Sequence, residues 1–214
     1  YVSLSQYENV FIYPLIELKF QNIESKIHNN DDDYFNICFH GHYPHLFKFE
    51  PFLKKAIEEF DKSYKKVCLK VITGNKNFNW QTGKPNVKIE MFGYDNDFVN
   101  IVKSSDIGIV PNVSDIRMFV KDITKLVSTD YGLYDTDYFL RMKNKTNAGR
   151  AYVFYQLGIP VIHDLSPSSF ELMSKTKHVI CAHDDFSYLR EMKKLMNCNL
   201  RNEIAVSNKN IFEN

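Results

Sequence analysis

From Phe35 onward the chain alternates short apolar runs with segments whose apolar residues recur at helical spacing, and that alternation leaves few folds open. FNICF (35–39) reads as a strand. Phe49, Phe52, Leu53, Ala56, Ile57 and Phe60 then lay one apolar stripe along a helix. VCLKVITG (67–74), VKIEMFG (87–93), DIGIVP (106–111), IPVIHD (159–164) and HVICA (178–182) read as five further strands. Between and after them the pattern predicts a short helix with Phe98, Ile101 and Val102, a helix over 148–157, a helical turn over 167–173 and a closing helix over 186–196. Strands separated by helices are joined by right-handed crossovers, which pair them in parallel. The expected fold is therefore α/β: a Rossmann-like, doubly wound parallel sheet of about six strands with helices on both faces. Ligands of such a sheet lie beyond the carboxyl ends of its strands, near the point where the strand order reverses. The loops HGHYPH, TGNKN, GYDND and PNVSD and the turn at Lys143 all fall at those ends.

Residues 1–34 stand outside the alternation, and NNDDD (29–33) has the composition of a solvated connector. The predicted division is an interdomain segment or N-terminal arm over 1–34 and a Rossmann-like α/β domain over 35–214. The chain opens at Tyr1 in the middle of a pattern, which suggests a piece of something longer. Residues 112–142 exceed an ordinary crossover and carry the tyrosine-rich STDYGLYDTDYF, so they form either a mobile flap or small insertion over the site, or a plain surface excursion.

The formal charge of +1 supplies no general attraction to nucleic acid or anionic lipid, so any basic function must be local and no nucleic-acid partner is expected. No apolar run approaches the roughly 20 residues that cross a bilayer, and the opening residues lack a signal-peptide pattern. The expectation is a soluble, cytoplasmic domain. Cys38, Cys68, Cys181 and Cys198 show neither CxxC spacing nor a secreted framework, and they read as small buried hydrophobes.

Within 143–164, KNKTNAGRAYVFYQLGIPVIHD, a basic, amide-rich turn opens a helix that runs through Gly158 into a buried strand. The first N–H groups of a helix lack internal partners and sit at its positive end, so Ala148 and Gly149, capped by Thr146 or Asn147, can face an anion. Lys143, Lys145 and Arg150 would add formal charge, and Arg150 a two-pronged grip. A capped surface helix with solvated lysines explains the same residues. His40, His42 and His45 invite a zinc reading, but no carboxylate or cysteine completes a recognisable spacing, so no metal is expected.

The order of these pieces resembles the C-terminal, donor-binding half of GT-B-type bacterial glycosyltransferases of polysaccharide and glycan assembly. The resemblance covers nearly the whole chain. It rests on FNICFHGHYPHL, VKIEMFGY, SSDIGIVPN, NKTNAGRAYVFYQLGIPVI and DDFSYLREMKKLMNCNLRNEIAVSN, each soft alone and specific in sequence order. It implies transfer of a sugar from a nucleotide-activated donor to a glycan or lipid-linked acceptor, without metal or other cofactor. The acceptor and general base would belong to an absent N-terminal domain, leaving this piece inactive alone, with at most a peripheral link to the inner face of the membrane through the full-length protein.

On that resemblance Arg150 and Lys145 would stabilise the departing diphosphate. Gly93 and Tyr94 would hold the base, and Thr73, Gly74 and Lys76 would approach phosphate or sugar. His40, Gly41 and His42 would close the first strand beside the donor. Pro111, Asn112, Lys143, Thr146, Asn147, Ala148 and Gly149 complete the expected donor-binding set, and His163 and Asp164 end another strand nearby. Ordinary turns, a capped strand end and, for Arg150, a salt bridge explain these residues equally. Many retaining members carry two Glu residues seven positions apart before the glycine of the helix–strand junction; counted from Gly158 those positions are Thr146 and Val153. The stereochemical outcome is thereby left open. A non-catalytic nucleotide or sugar-phosphate binding module and a nucleotide-sugar epimerase-like enzyme are the competing readings. A dehydrogenase is disfavoured, because HGHYPHLF follows the first strand where GxGxxG is needed.

Overall fold

The computed structural model describes residues 18–20, 22–41, 46, 51–74, 87–94, 97–111, 149–163, 180–182 and 184–213. Six strands, β1 (Phe35–His40), β2 (Val67–Ile72), β3 (Lys88–Phe92), β4 (Ile107–Val110), β5 (Val161–His163) and β6 (Ile180–Cys181), form one sheet in the order β3-β2-β1-β4-β5-β6. Every pairing is parallel. The described helices are α1 (Pro51–Ser63), α2 (Phe98–Lys103), α3 (Gly149–Gln156), α4 (Asp185–Lys194) and α5 (Cys198–Glu213). This is the expected Rossmann-like α/β architecture. The predicted turn over 167–173 and the excursion over 112–142 lie outside the described residues.

Side chains alternate across a strand, and the strand sequences sort themselves accordingly. Phe35, Ile37 and Phe39 of β1, Val67, Leu69 and Val71 of β2, Ile107 and Ile109 of β4 and Ile162 of β5 point to one face, where Leu53, Ile57 and Phe60 of α1 and Tyr188 and Met192 of α4 cover them. Cys38, Ile72, Val110 and Val161 point to the other, beneath Val102 of α2 and Ala151, Phe154 and Tyr155 of α3. Right-handed crossovers require this division: the step from β1 to β2 moves outward in one direction and puts α1 on one face, whereas the steps from β3 to β4 and β4 to β5 move the opposite way and put α2 and α3 on the other. The direction reverses between β1 and β4, so the switch point lies at the carboxyl ends of those two strands.

Gly108, in the middle of β4, brings α3 close to the sheet: a Cβ there would lie 2.7 Å from three ring atoms of Phe154. Gly158 ends α3 with φ of 76°, and a Cβ would meet Ser25 Cβ at 2.8 Å and Lys26 N at 2.9 Å. That glycine both turns the chain into β5 and lets residues 25–26 cross it.

Residues 22–34, placed by sequence in an interdomain segment, run along the amino edge of the sheet and are bonded to it. Lys26 N donates to Leu157 O at 3.0 Å and its ammonium to Ser105 O at 2.7 Å. Asn202 of α5 brackets the backbone of His28, accepting from its N–H at 2.7 Å and donating to its carbonyl at 3.0 Å. The buried guanidinium of Arg201 donates to His28 Nδ1 at 3.2 Å, to Leu195 O at 2.6 Å and to Asn29 O at 2.6 Å, and pairs with Asp106 at 3.1 Å. Because an arginine only donates, His28 carries its proton on Nε2, which donates to Gly158 O at 2.9 Å. Asn29 to Asp33 are exposed, as their composition predicts.

All four cysteines are free; Cys38 and Cys68 are buried, and burial pushes their thiols up to about 12 and about 11. Those two behave as small core hydrophobes, as expected, whereas Cys181 and Cys198 are only half-buried.

Candidate functional site at the switch point

Three chain segments converge where the strand order reverses. β1 ends at His40 and turns at Gly41, whose φ of 134° is open to glycine and strained for other residues. β4 ends before Pro111. Gly149 and Arg150 begin α3 on the face of the sheet that carries His40.

The Arg150 side chain reaches over the sheet edge at this crevice. It passes Gly41 so closely that a Cβ there would lie 3.1 Å from Arg150 Cδ. One guanidinium nitrogen makes a long, weak bond to Pro111 O at 3.4 Å, and Cζ lies 5.9 Å from the ring centroid of Phe39, whose side chain belongs to the core of the opposite face. A cation thus sits in the gap between β1 and β4.

His40 fixes the other end of this arrangement. Its ring lies 4.9 Å from Phe154 and 5.4 Å, edge-on, from Phe98, and its Nε2 is 3.1 Å from Arg150 O. A carbonyl only accepts, so Nε2 carries the proton. The imidazole ties the first turn of α3 to the end of β1. Burial, reinforced by the Arg150 charge, pushes His40 down to about 4, leaving it neutral.

Tyr94, just beyond β3, stacks on Phe98 with centroids 6.4 Å apart and is about half exposed. Burial raises its hydroxyl, while a hydrogen bond with the Gly41 backbone and the Arg150 charge act in the opposite direction. His163, at the end of β5, shares a short hydrogen bond with Tyr155 and is pushed down to about 3, first by burial and then by Arg150. The charge of Arg150 is therefore felt at His40, Tyr94 and His163 alike, and the local field favours an anion.

Of the sequence-predicted residues, His40, Gly41, Tyr94, Pro111, Gly149 and Arg150 come together here. Thr73 is buried and its N–H donates to Phe92 O at 3.0 Å, tying the ends of β2 and β3 beside Gly93. Gly74 has open space where a side chain would project. His42, His45, Lys76, Asn112, Lys143, Lys145, Thr146, Asn147, Ala148 and Asp164 lie outside the described residues. His163, expected at a strand end near the donor or in a capped turn, is 1% exposed and hydrogen-bonded to Tyr155 of α3. Phe39, Phe98 and Phe154, which shape the crevice, were legible only as core positions of their strand and helices.

Among the described residues no group of three His, Cys, Asp or Glu side chains could hold a metal ion, and no helix is long and apolar enough to cross a membrane.

Three buried histidines, His28, His40 and His163, are held neutral, with His28 also pushed down to about 4 by burial. The unfolded chain takes up their protons near pH 6.5, before the folded chain does, so stability falls as pH drops from about 6.5 to about 4. Each histidine contributes up to about 1.4 kcal/mol per pH unit in that window. Urea midpoints between pH 7 and 4.5 should decline steeply, and the decline should be shallower in His163→Asn; a flat profile would contradict the buried, neutral assignment.

No protein-family model matches the chain, and no curated protein is significantly similar to it.

Proposed function

We propose that the chain is the donor-binding half of a GT-B-type glycosyltransferase, holding a nucleoside-diphosphate sugar at the switch point. The observation that carries this reading is Arg150, set at the first turn of α3 and directed into the crevice between β1 and β4. A diphosphate placed there would meet the guanidinium and the N–H groups that open α3, which favour the charge developing on the leaving oxygens. Tyr94, exposed on one side and stacked on Phe98, would offer an aromatic face to the base. Lys143, Lys145, Thr146, Asn147 and Ala148 precede Gly149 in the chain and would extend the anion site, and His42 and Asn112 would line the loops beyond β1 and β4. Acceptor and general base would come from a second domain, so this half would bind donor and transfer little.

A second reading, a non-catalytic nucleotide or sugar-phosphate binding module, is favoured by one observation. Val153, where many retaining members of that family would place a Glu, is an α3 residue buried at 6% exposure and offers nothing to a ribose or sugar.

Thermal shift against UDP, GDP, CMP, ADP and NAD tests the anion site. A ligand at ten times its Kd stabilises by about 1.4 kcal/mol, a rise of roughly 3 to 5 °C for a chain of this size. One nucleoside diphosphate should give that shift, and Arg150→Ala should remove it while leaving the unliganded melting temperature within about 2 °C. No shift with any nucleotide would sink both readings. Turnover of a donor by the chain joined to an acceptor-binding domain would separate enzyme from module.

A further inference from the structure

We propose that the outer surface of α1 and α4 is a docking face for an anionic lipid bilayer. The exposed residues of the two helices and the turn after α1 form a narrow chemical set: Phe52, Lys55, Lys62, Ser63, Tyr64 and Lys66 on the first, and Phe186, Arg190, Lys193 and Lys194 on the second. Every exposed charged side chain among them is basic. Three of the large hydrophobic residues that the described chain leaves exposed are there too: Phe186 at 75%, Phe52 at 45% and Tyr64 at 42%.

Spacing gathers these residues into one surface. Positions 52, 55, 59 and 62 advance by three or four along one stripe of α1, on which the half-buried Glu59 accepts from Ser63 Oγ at 2.6 Å, and Lys66 lies just beyond that helix; positions 186, 190, 193 and 194 advance by four, three and one along α4. The stripes lie side by side. Lys55 pairs with Asp185 and lies 5.7 Å from the Phe186 ring at one end, and Lys193 lies 4.9 Å above the Tyr64 ring at the other. The inward stripes of both helices are spent on the sheet core through Leu53, Ile57, Phe60, Tyr188 and Met192.

Charge is also separated by depth. Asp185 and Glu191 are mostly covered, with side chains 14% and 9% exposed, whereas Lys55, Arg190 and Lys194, which pair with them, stand 56–69% exposed. Cations are presented outward above carboxylates held beneath. A bilayer interface asks for this combination: lysines reach headgroup phosphates while exposed phenylalanines enter the acyl boundary and a tyrosine rests at headgroup level. Five of the six exposed cations are lysines, which act as point charges and lack the planar fork that reads bases, so the surface suits phosphate headgroups better than a nucleic acid.

Sedimentation with vesicles of phosphatidylcholine containing about 30% phosphatidylglycerol tests the surface directly. At low salt the 214-residue chain should bind these vesicles at least about tenfold better than pure phosphatidylcholine, and about 0.5 M salt should abolish most of the difference. K62E/K193E and, separately, Phe186→Ser should each lower binding several-fold with unchanged circular-dichroism melts. Val206→Ser, at a 65% exposed position on α5, should leave it intact. Equal binding to neutral vesicles, indifference to both surface variants, or displacement from vesicles by a single-stranded RNA that binds more tightly would overturn the proposal.

Discussion

Arg201→Met should destabilise the fold by about 3 to 5 kcal/mol, the loss expected when one partner is removed from a buried ion pair. Arg201 is 1% exposed, and methionine fills its stem without replacing a single donor. The substitution strands the Asp106 carboxylate, which retains Asn36 N at 2.8 Å, and deprives the carbonyls of Leu195 and Asn29 and the ring nitrogen of His28 of their donor. Arg201→Lys should fare little better, because an ammonium cannot reproduce the planar fork that reaches His28, Leu195, Asn29 and Asp106 together. Adding Asp106→Asn to Arg201→Met should recover part of the loss, since the uncompensated charge then disappears. Urea denaturation measures all three; a loss below about 1 kcal/mol for Arg201→Met would mean that the amino-edge network contributes little.

Gly108→Val should cost about 3 kcal/mol, at the upper end of overpacking penalties, despite valine's better strand propensity. Its first carbon would already collide with the Phe154 ring, and that ring is held between β4 and the imidazole of His40. The relief available is a displacement of α3 from the sheet, which carries Arg150 away from Gly41 and Pro111. The nucleotide-dependent stabilisation expected of the proposed site should then vanish together with the stability. Phe154→Leu combined with Gly108→Val should cost less than the sum of the two single changes, with a coupling of about 1 kcal/mol or more. Strict additivity would show that the helix is positioned by something other than this glycine.

Most of the scaffold was legible in the chain because strands and helices buried on one side leave periodic signatures. FNICF, VCLKVI and IGIV combine β-branched and aromatic residues in short runs, and the part of the predicted stripe from Phe52 to Phe60 lies in α1. Arg150 was legible as a cation at a helix opening. Its placement over Gly41 was not, because the two are far apart in sequence and meet only when β1 and β4 become neighbours. His40 and His163 show the same limit: as residues at strand ends they read as cleft-facing, whereas the packing of α3 buries both and holds them neutral.

The sequence by itself determined the alternation, the parallel sheet, the boundaries of α1 to α4 to within a few residues and the types of residue at the carboxyl ends, since each depends on periodicity and turn chemistry along a short stretch, whereas α5 lies beyond the closing helix that the pattern predicts over 186–196. Tertiary structure alone decided which strands became neighbours, where the order reversed, and therefore that His40, Gly41, Pro111 and Arg150 share one crevice. It also decided that His28, Asp106 and Arg201, scattered through the chain, close into one buried network at the opposite edge, with Lys26 bonded to Ser105 beside it. Contacts of that kind depend on which distant surfaces bury each other, a property of the assembled core that no local pattern encodes.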